Sequence, residues 1–113
     1  MLTEKDYCDR DTAVALQKLG YNNKYCRDDG TPIIILYEAQ KWLRNTHNLH
    51  ISTKPYPNEG GLMWMFEIRR FTPYLVCVIK NKTGFKEAEE ALLEGIKEAI
   101  KLLKEITSLS FGW

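Results

Sequence analysis

Apolar residues recur at intervals of three and four along the last third of the chain: Phe85, Ala88, Leu92, Ile96, Ala99, Leu103 and Ile106. That period predicts one long amphipathic helix with Thr83 as its N-cap. At about 100° per residue the apolar arc also takes in Ala91, Gly95, Ile100, Leu102 and Leu109, which is wider than the stripe a surface helix needs. A second helical period opens where Thr31 can cap and Pro32 can take the first helical position, losing only an amide that would be orphaned there. From that start Ile35, Leu36, Ala39, Trp42, Leu43 and Thr46 share the face to be buried, although the β-branched run Ile33, Ile34 and Ile35 allows an extended first turn. Asn48 can close this helix in the left-handed conformation. Leu49, Ile51 and Thr53 then alternate with His50, Ser52 and Lys54, a strand joined to its helix by a very short connection.

Upstream, Asp9 can cap a short helix that holds Ala13, Leu16 and Leu19 near one face and ends at Gly20, while the polar residues before it are expected to be loose. Tyr21 to Gly30 is irregular, with a brief strand at Tyr25 and Cys26 and a turn at Asp28-Asp29-Gly30. Downstream, PYPNEGG (Pro55 to Gly61) reads as turn throughout and reverses the first strand into a second. In that second strand Leu62, Trp64, Phe66 and Ile68 face a core, and Met63, Met65, Glu67 and Arg69 face away. A break at Arg70 to Pro73 precedes a third strand, Tyr74 to Lys80, whose apolar residues on both faces imply cover on both. The expected fold is one α+β domain over residues 1–113, loose at 1–8 and 110–113. A small antiparallel sheet of about three strands packs against helices in the order α-α-β-β-β-α.

Composition constrains function more than it suggests one. A chain of 113 residues that is 44% hydrophobic and 27% charged is ordinary for a globular domain and needs no staple. Its 16 basic residues against 15 acidic ones leave a net charge of +1, which gives no bulk attraction to nucleic acid or to a membrane. The charge is unevenly placed. Lys41, Arg44, Lys54, Arg69, Arg70, Lys80 and Lys82 face only Glu59 and Glu67 in the middle of the chain, and both ends are net acidic. Cys8, Cys26 and Cys77 are odd in number, lack a C-x-x-C spacing and follow no secretion signal, so reduced thiols in a cytoplasm are expected. No apolar run approaches the ~20 residues of a membrane span.

Two surfaces stand out. A last helix of some 22 residues reaches about 33 Å, whereas strands of roughly six or seven residues span only about 20 to 23 Å. The overhanging end would carry Leu102, Leu103, Ile106 and Leu109, followed by Phe111 and Trp113, an exposed apolar patch that predicts a homodimer or another protein partner. The alternative is a nucleic-acid surface made of Lys54, Tyr56, Arg69, Arg70, Tyr74 and Lys80, in which cations neutralise phosphates and rings stack on bases. The same cations also suit a solvated sheet edge kept from aggregating.

Candidate chemistry is sparse. His47 and His50 form H-x-x-H, yet one ends a helix and the other begins a strand, and no third or fourth ligand lies nearby, so no metal is predicted. The cysteines have no context that lowers a thiol pKa and read as small core residues. Gly60-Gly61 is a turn, because no phosphate-loop pattern surrounds it. Glu87, Glu89, Glu90 and Glu94 suit the first turns of a helix and lysines at i to i+4, which makes a solvated face. No catalytic residue and no cofactor is expected.

Three segments carry a resemblance. They are the capped helix and following aromatic from Asp9 to Tyr21, the segment KWLRNTHNLHI (Lys41 to Ile51) with a later Trp-bearing strand at Trp64, and the helix opening FKEAEEALLEGIKEAI (Phe85 to Ile100). In these the chain resembles a group of small uncharacterised proteins carried by phages and prophages of gut bacteria. The likeness covers most of the chain, and its middle segment is the most specific part. The group has no assigned activity, so the resemblance transfers no functional residue, and this chain departs from it in the apolar extension beyond Leu103. The resulting expectation is a non-enzymatic phage-type accessory protein that acts through protein contacts.

Overall fold

The computed structural model describes residues 2–71 and 76–110, with side chains as far as residue 105 except those of residues 76 and 77. A 3-10 turn at Glu4–Asp6 precedes α1 (Arg10–Lys18), α2 (Leu36–His47), β1 (His50–Asn58), β2 (Gly61–Phe71), β3 (Val76–Phe85) and α3 (Ala88–Ser110). The strands form an antiparallel meander in the order β1-β2-β3. The α+β class and the element order are those the sequence predicts.

One face of the sheet holds the core. Ile51 lies opposite Ile68, and Phe66 and Phe85 lie on the same side. All four are buried against Ala91, Leu92, Ile96, Ala99 and Ile100 of α3 and Leu36, Ala39 and Leu43 of α2. On the opposite face, which includes Lys54, Tyr56, Met63, Met65 and Arg69, Glu67 alone among the described side chains is buried.

Several boundaries move. Thr31 does not cap α2. Thr31 to Ile35 is extended, as the three β-branched isoleucines favour, and the helix begins at Leu36 without a side-chain cap. Two neighbouring segments hold it extended: Cys8 N–H donates to the Ile34 carbonyl (2.8 Å), and Ile33 N–H donates to the Tyr25 carbonyl (2.9 Å). Thr46, expected on the buried face, is exposed, while Leu36, Ala39 and Leu43 are buried as predicted. Just before α1, Tyr7 bridges to Ile35 and Cys8 is buried.

The first strand runs through Pro55 and Pro57 and turns only after Asn58. Gln40 of α2 donates to the outward carbonyl of Ile51, at 2.6 Å, so the backbone groups of alternate residues from Ile51 onward point away from β2. Pro55 and Pro57 share that parity, lose no ladder bond, and blunt the sheet edge. The third strand likewise continues beyond Lys80, through Thr83 to Phe85. Gly84, at φ +101°, sits at a register shift between Met65 and Trp64, and its N–H donates to the Tyr56 hydroxyl at 2.9 Å. Thr83 is therefore a strand residue and α3 starts at Ala88. The cover expected on both faces of β3 is missing, with Val78 49% and Ile79 38% exposed, and Leu62 of β2 is also exposed.

These longer strands remove the premise of an overhang. Strands of 9, 11 and 10 residues span about 30 to 37 Å, and the 23-residue α3 is about 35 Å long. Helix and sheet match. Leu103 is buried within its own chain and Leu102 is half-buried. The side chains of Ile106 and Leu109, and all of Phe111 and Trp113, lie outside the described residues.

Asn48 ends α2 at φ +55°, as predicted, and does two further things. Its amide nitrogen donates to the Phe71 carbonyl (2.6 Å), which leaves its side-chain oxygen to accept from His50 Nε2 (2.9 Å). The helix-strand junction is thereby fastened to the end of β2. Asn48→Gly keeps the backbone conformation but loses both bonds and should cost about 1–2 kcal/mol in urea unfolding. Asn48→Ala, which adds the left-handed penalty, should cost about 1 kcal/mol more.

Candidate functional site

A concavity of about 540 Å³ lies between the N-terminal segment, the Arg27–Asp29 turn and the first turns of α3. Its floor is Tyr7, Cys8, Thr31, Pro32 and Leu93. Each wall has a local cause. Asp9 caps α1 by accepting from Thr12 N–H at 2.9 Å, which fixes the chain just after Cys8. Gly30, at φ +86°, closes the turn with its N–H on the Arg27 carbonyl, and Asp29 accepts from Thr31 N–H, so Thr31 and Pro32 are delivered extended onto the floor. Lys5 Nζ contacts both carboxylate oxygens of Glu87 at 2.8 Å and ties the first turn to the start of α3.

The rim is acidic. Glu4, Asp9, Asp29, Glu87, Glu89 and Glu90 line it against Lys5, Arg10 and Arg27. Asp9 is engaged by Lys97 at 2.9 Å. Burial pushes the Asp9 carboxyl up, but the Thr12 bonds and Lys97 outweigh it and hold the group below its usual range. Among the described residues Glu89 and Glu90 have no ion-pair partner within 4 Å, although the charge of Glu89 reaches Lys5. The Cys8 thiol on the floor is pushed up to about 12, by burial first and by the Asp9 charge second, so it stays protonated and is a poor nucleophile. No histidine lines this cleft. His47 stands edge-on to Trp42, His50 stands edge-on to Phe71, and Cys26 is exposed. Among the described residues no group of three or more His, Cys, Asp or Glu is placed to hold a metal ion.

The basic and aromatic residues singled out in the sequence are divided by the strand register. Lys54, Tyr56 and Arg69 lie on the open face of the sheet. Arg70 and Lys80 have the opposite parity: Lys80 pairs with Glu98 of α3 at 3.5 Å, and the charge of Arg70 reaches His47 of α2. Tyr74 lies outside the described residues. On the open face Lys54 (3.2 Å) and Arg69 (2.8 Å) both converge on one oxygen of Glu67. Burial raises the Glu67 carboxyl, and the Lys54 hydrogen bond with the Arg69 and Lys54 charges more than offsets that, so it titrates below its ordinary value. Its stabilising contribution is complete above the ordinary glutamate pKa and is lost as pH falls through the depressed one. The Tyr56 hydroxyl is occupied by Gly84. On the open face two cations thus share one carboxylate, a paired network with a single net positive charge rather than an array of free cations.

The cleft was not legible as a site in the sequence, because its floor draws on segments more than 60 residues apart. One signal did point to it: the stretches before and after the basic middle of the chain are both net acidic, and the fold brings Glu4 and Asp9 of the first together with Glu87, Glu89 and Glu90 of the second. Among the described residues no helix is long and apolar enough to cross a membrane. No protein-family model, curated protein or solved structure matches the chain.

Proposed function

We propose that the protein is a phage-type accessory factor that works by binding another protein, without chemistry of its own, and that the cleft beside α3 receives a basic, partly apolar segment of that partner. The observation that carries this reading is the combination of an apolar floor with six carboxylates against three cations. A cationic side chain gains from that rim while its stem covers Pro32 and Leu93. Self-association through the last turns of α3 rests on the sequence pattern alone, since Leu103 is already covered by its own chain.

The test is calorimetric titration with unstructured peptides in which leucine or tryptophan separates lysines and arginines. Saturable binding that weakens with salt is expected, and Glu89→Gln with Glu90→Gln should reduce it about tenfold. Absence of binding at low salt, or binding indifferent to the double variant, would remove the proposal.

A further inference from the structure

A second cavity, of about 360 Å³, opens where α2 passes the start of β1 and the end of β2. Gln40, Arg44, His50, Ile51, Ser52, Arg69 and Phe71 line it. Its character is the reverse of the acidic cleft: two guanidinium groups, an imidazole and a hydroxyl line it, and no carboxylate does. We infer that this cavity is an anion site that takes the phosphate group of a small phosphate-bearing molecule, held between Arg44 of α2 and Arg69 of β2 with the rest of the ligand against Phe71.

Four observations carry this. The cations come from separate elements, so they are brought together by the fold rather than by a run in sequence. His50 lies directly opposite Arg69 in the β1–β2 register, and the charge of Arg44 reaches the same imidazole. Arg69 pairs through Nη2 with Glu67 at 2.8 Å, but among the described residues its enclosed Nε has no acceptor, a donor left without a partner on a residue that lines the cavity. The volume suits a small ligand, and Phe71, 41% exposed and edge-on to His50, gives that ligand an apolar wall. The Arg44 guanidinium and the free Nε edge of Arg69 are planar donors of the geometry that phosphate oxygens accept. This inference is independent of the basic-partner reading of the cleft.

The experiment is an NMR titration of the full chain with inorganic phosphate and with a nucleoside 5′-monophosphate, against sodium chloride at equal ionic strength, read at the His50 ring and the Arg44 and Arg69 Nε resonances. Saturable shifts at all three are expected, with the monophosphate binding more tightly than inorganic phosphate. Arg44→Gln should weaken binding about tenfold, Arg44→Lys should recover part of it, and Lys101→Gln on the exposed face of α3 should leave it unchanged. Shifts that chloride reproduces, or a loss equal in the Lys101 variant, would overturn the assignment. So would a single-stranded oligonucleotide that binds more tightly than the monophosphate with a salt slope of several charges, which would make the surface a nucleic-acid track instead.

Discussion

Gly95→Leu is expected to cost the protein about 4 kcal/mol or more, and Gly95→Ala about 1–2 kcal/mol, in urea unfolding followed by far-ultraviolet circular dichroism. The alanine result runs against intrinsic propensity, because a glycine inside a helix is about 1 kcal/mol worse than alanine. Packing reverses the sign. A Cβ at position 95 would stand 2.7 Å from Ile51 Cγ2 and 3.3 Å from Cβ and Cγ of Phe66. Neither neighbour can swing away cheaply: Ile51 is β-branched, and the Phe66 atoms lie next to its backbone. Overpacking of this kind costs roughly 1–3 kcal/mol for one added carbon, and a leucine adds three more. In an Ile51→Ala background the Cγ2 is gone, so the alanine substitution should lose much of its cost, a coupling that a double-mutant cycle reads directly. An alanine variant as stable as the parent would mean that α3 does not approach the sheet this closely.

That glycine marks the limit of what the pattern of residues conveyed. It fell within the apolar arc of the last helix and could be placed on the buried side, but nothing in a one-dimensional period says that a helix must come within one carbon of a strand. The element types followed from local chemistry. Asp9, Asn48 and the alternation around Phe66 each act within a few residues, and the structure has each where the sequence predicts it. The misplaced boundaries share another cause. Thr31-Pro32 has good N-cap chemistry, yet the segment is extended because Cys8 and Tyr25 pair with it from elsewhere in the chain. Thr83 has the same chemistry and remains in a strand because Tyr56, 28 residues earlier, holds Gly84 at the bulge. Pro55 and Pro57 have turn chemistry, yet they lie in a strand because their backbone faces the edge that Gln40 marks as outward. Local propensity lost wherever a long-range hydrogen bond could satisfy the backbone instead. The strand lengths changed as a result, and with them the functional expectation: once β1 to β3 run as long as α3, the overhang that singled out Leu102 and Leu103 is gone. Neither cavity is legible in the sequence because each is assembled from separate segments, although the acidic flanks and basic middle of the chain carry their opposite charge.

Phe66→Ala is expected to cost about 3–5 kcal/mol, which would leave a domain of this size barely folded at 25 °C. The ring is 2% exposed, lies 5.9 Å from the Phe85 ring, and touches the face of α3 at Gly95, so it links the central strand, the edge strand and the helix. Truncation removes its transfer free energy and leaves a void that β2, held on both sides by β1 and β3, cannot collapse to fill. Phe66→Leu keeps most of the volume and should cost about 1–1.5 kcal/mol. The core side of β2 also predicts a gradient along the strand. Ile68 is fully buried and Phe66 nearly so, Trp64 is half-buried, and Leu62 is 60% exposed beside the turn. Leu62→Ala should therefore change stability by less than about 0.5 kcal/mol, as surface substitutions usually do. The two alanine variants, measured as urea midpoints with equal m-values, test one claim: the helices cover β2 from its middle to its far end and leave the Glu59-Gly60 hairpin bare. Equal losses at Leu62 and Phe66 would require a core that extends under the hairpin, and a loss below about 1 kcal/mol at Phe66 would require α3 to pack elsewhere.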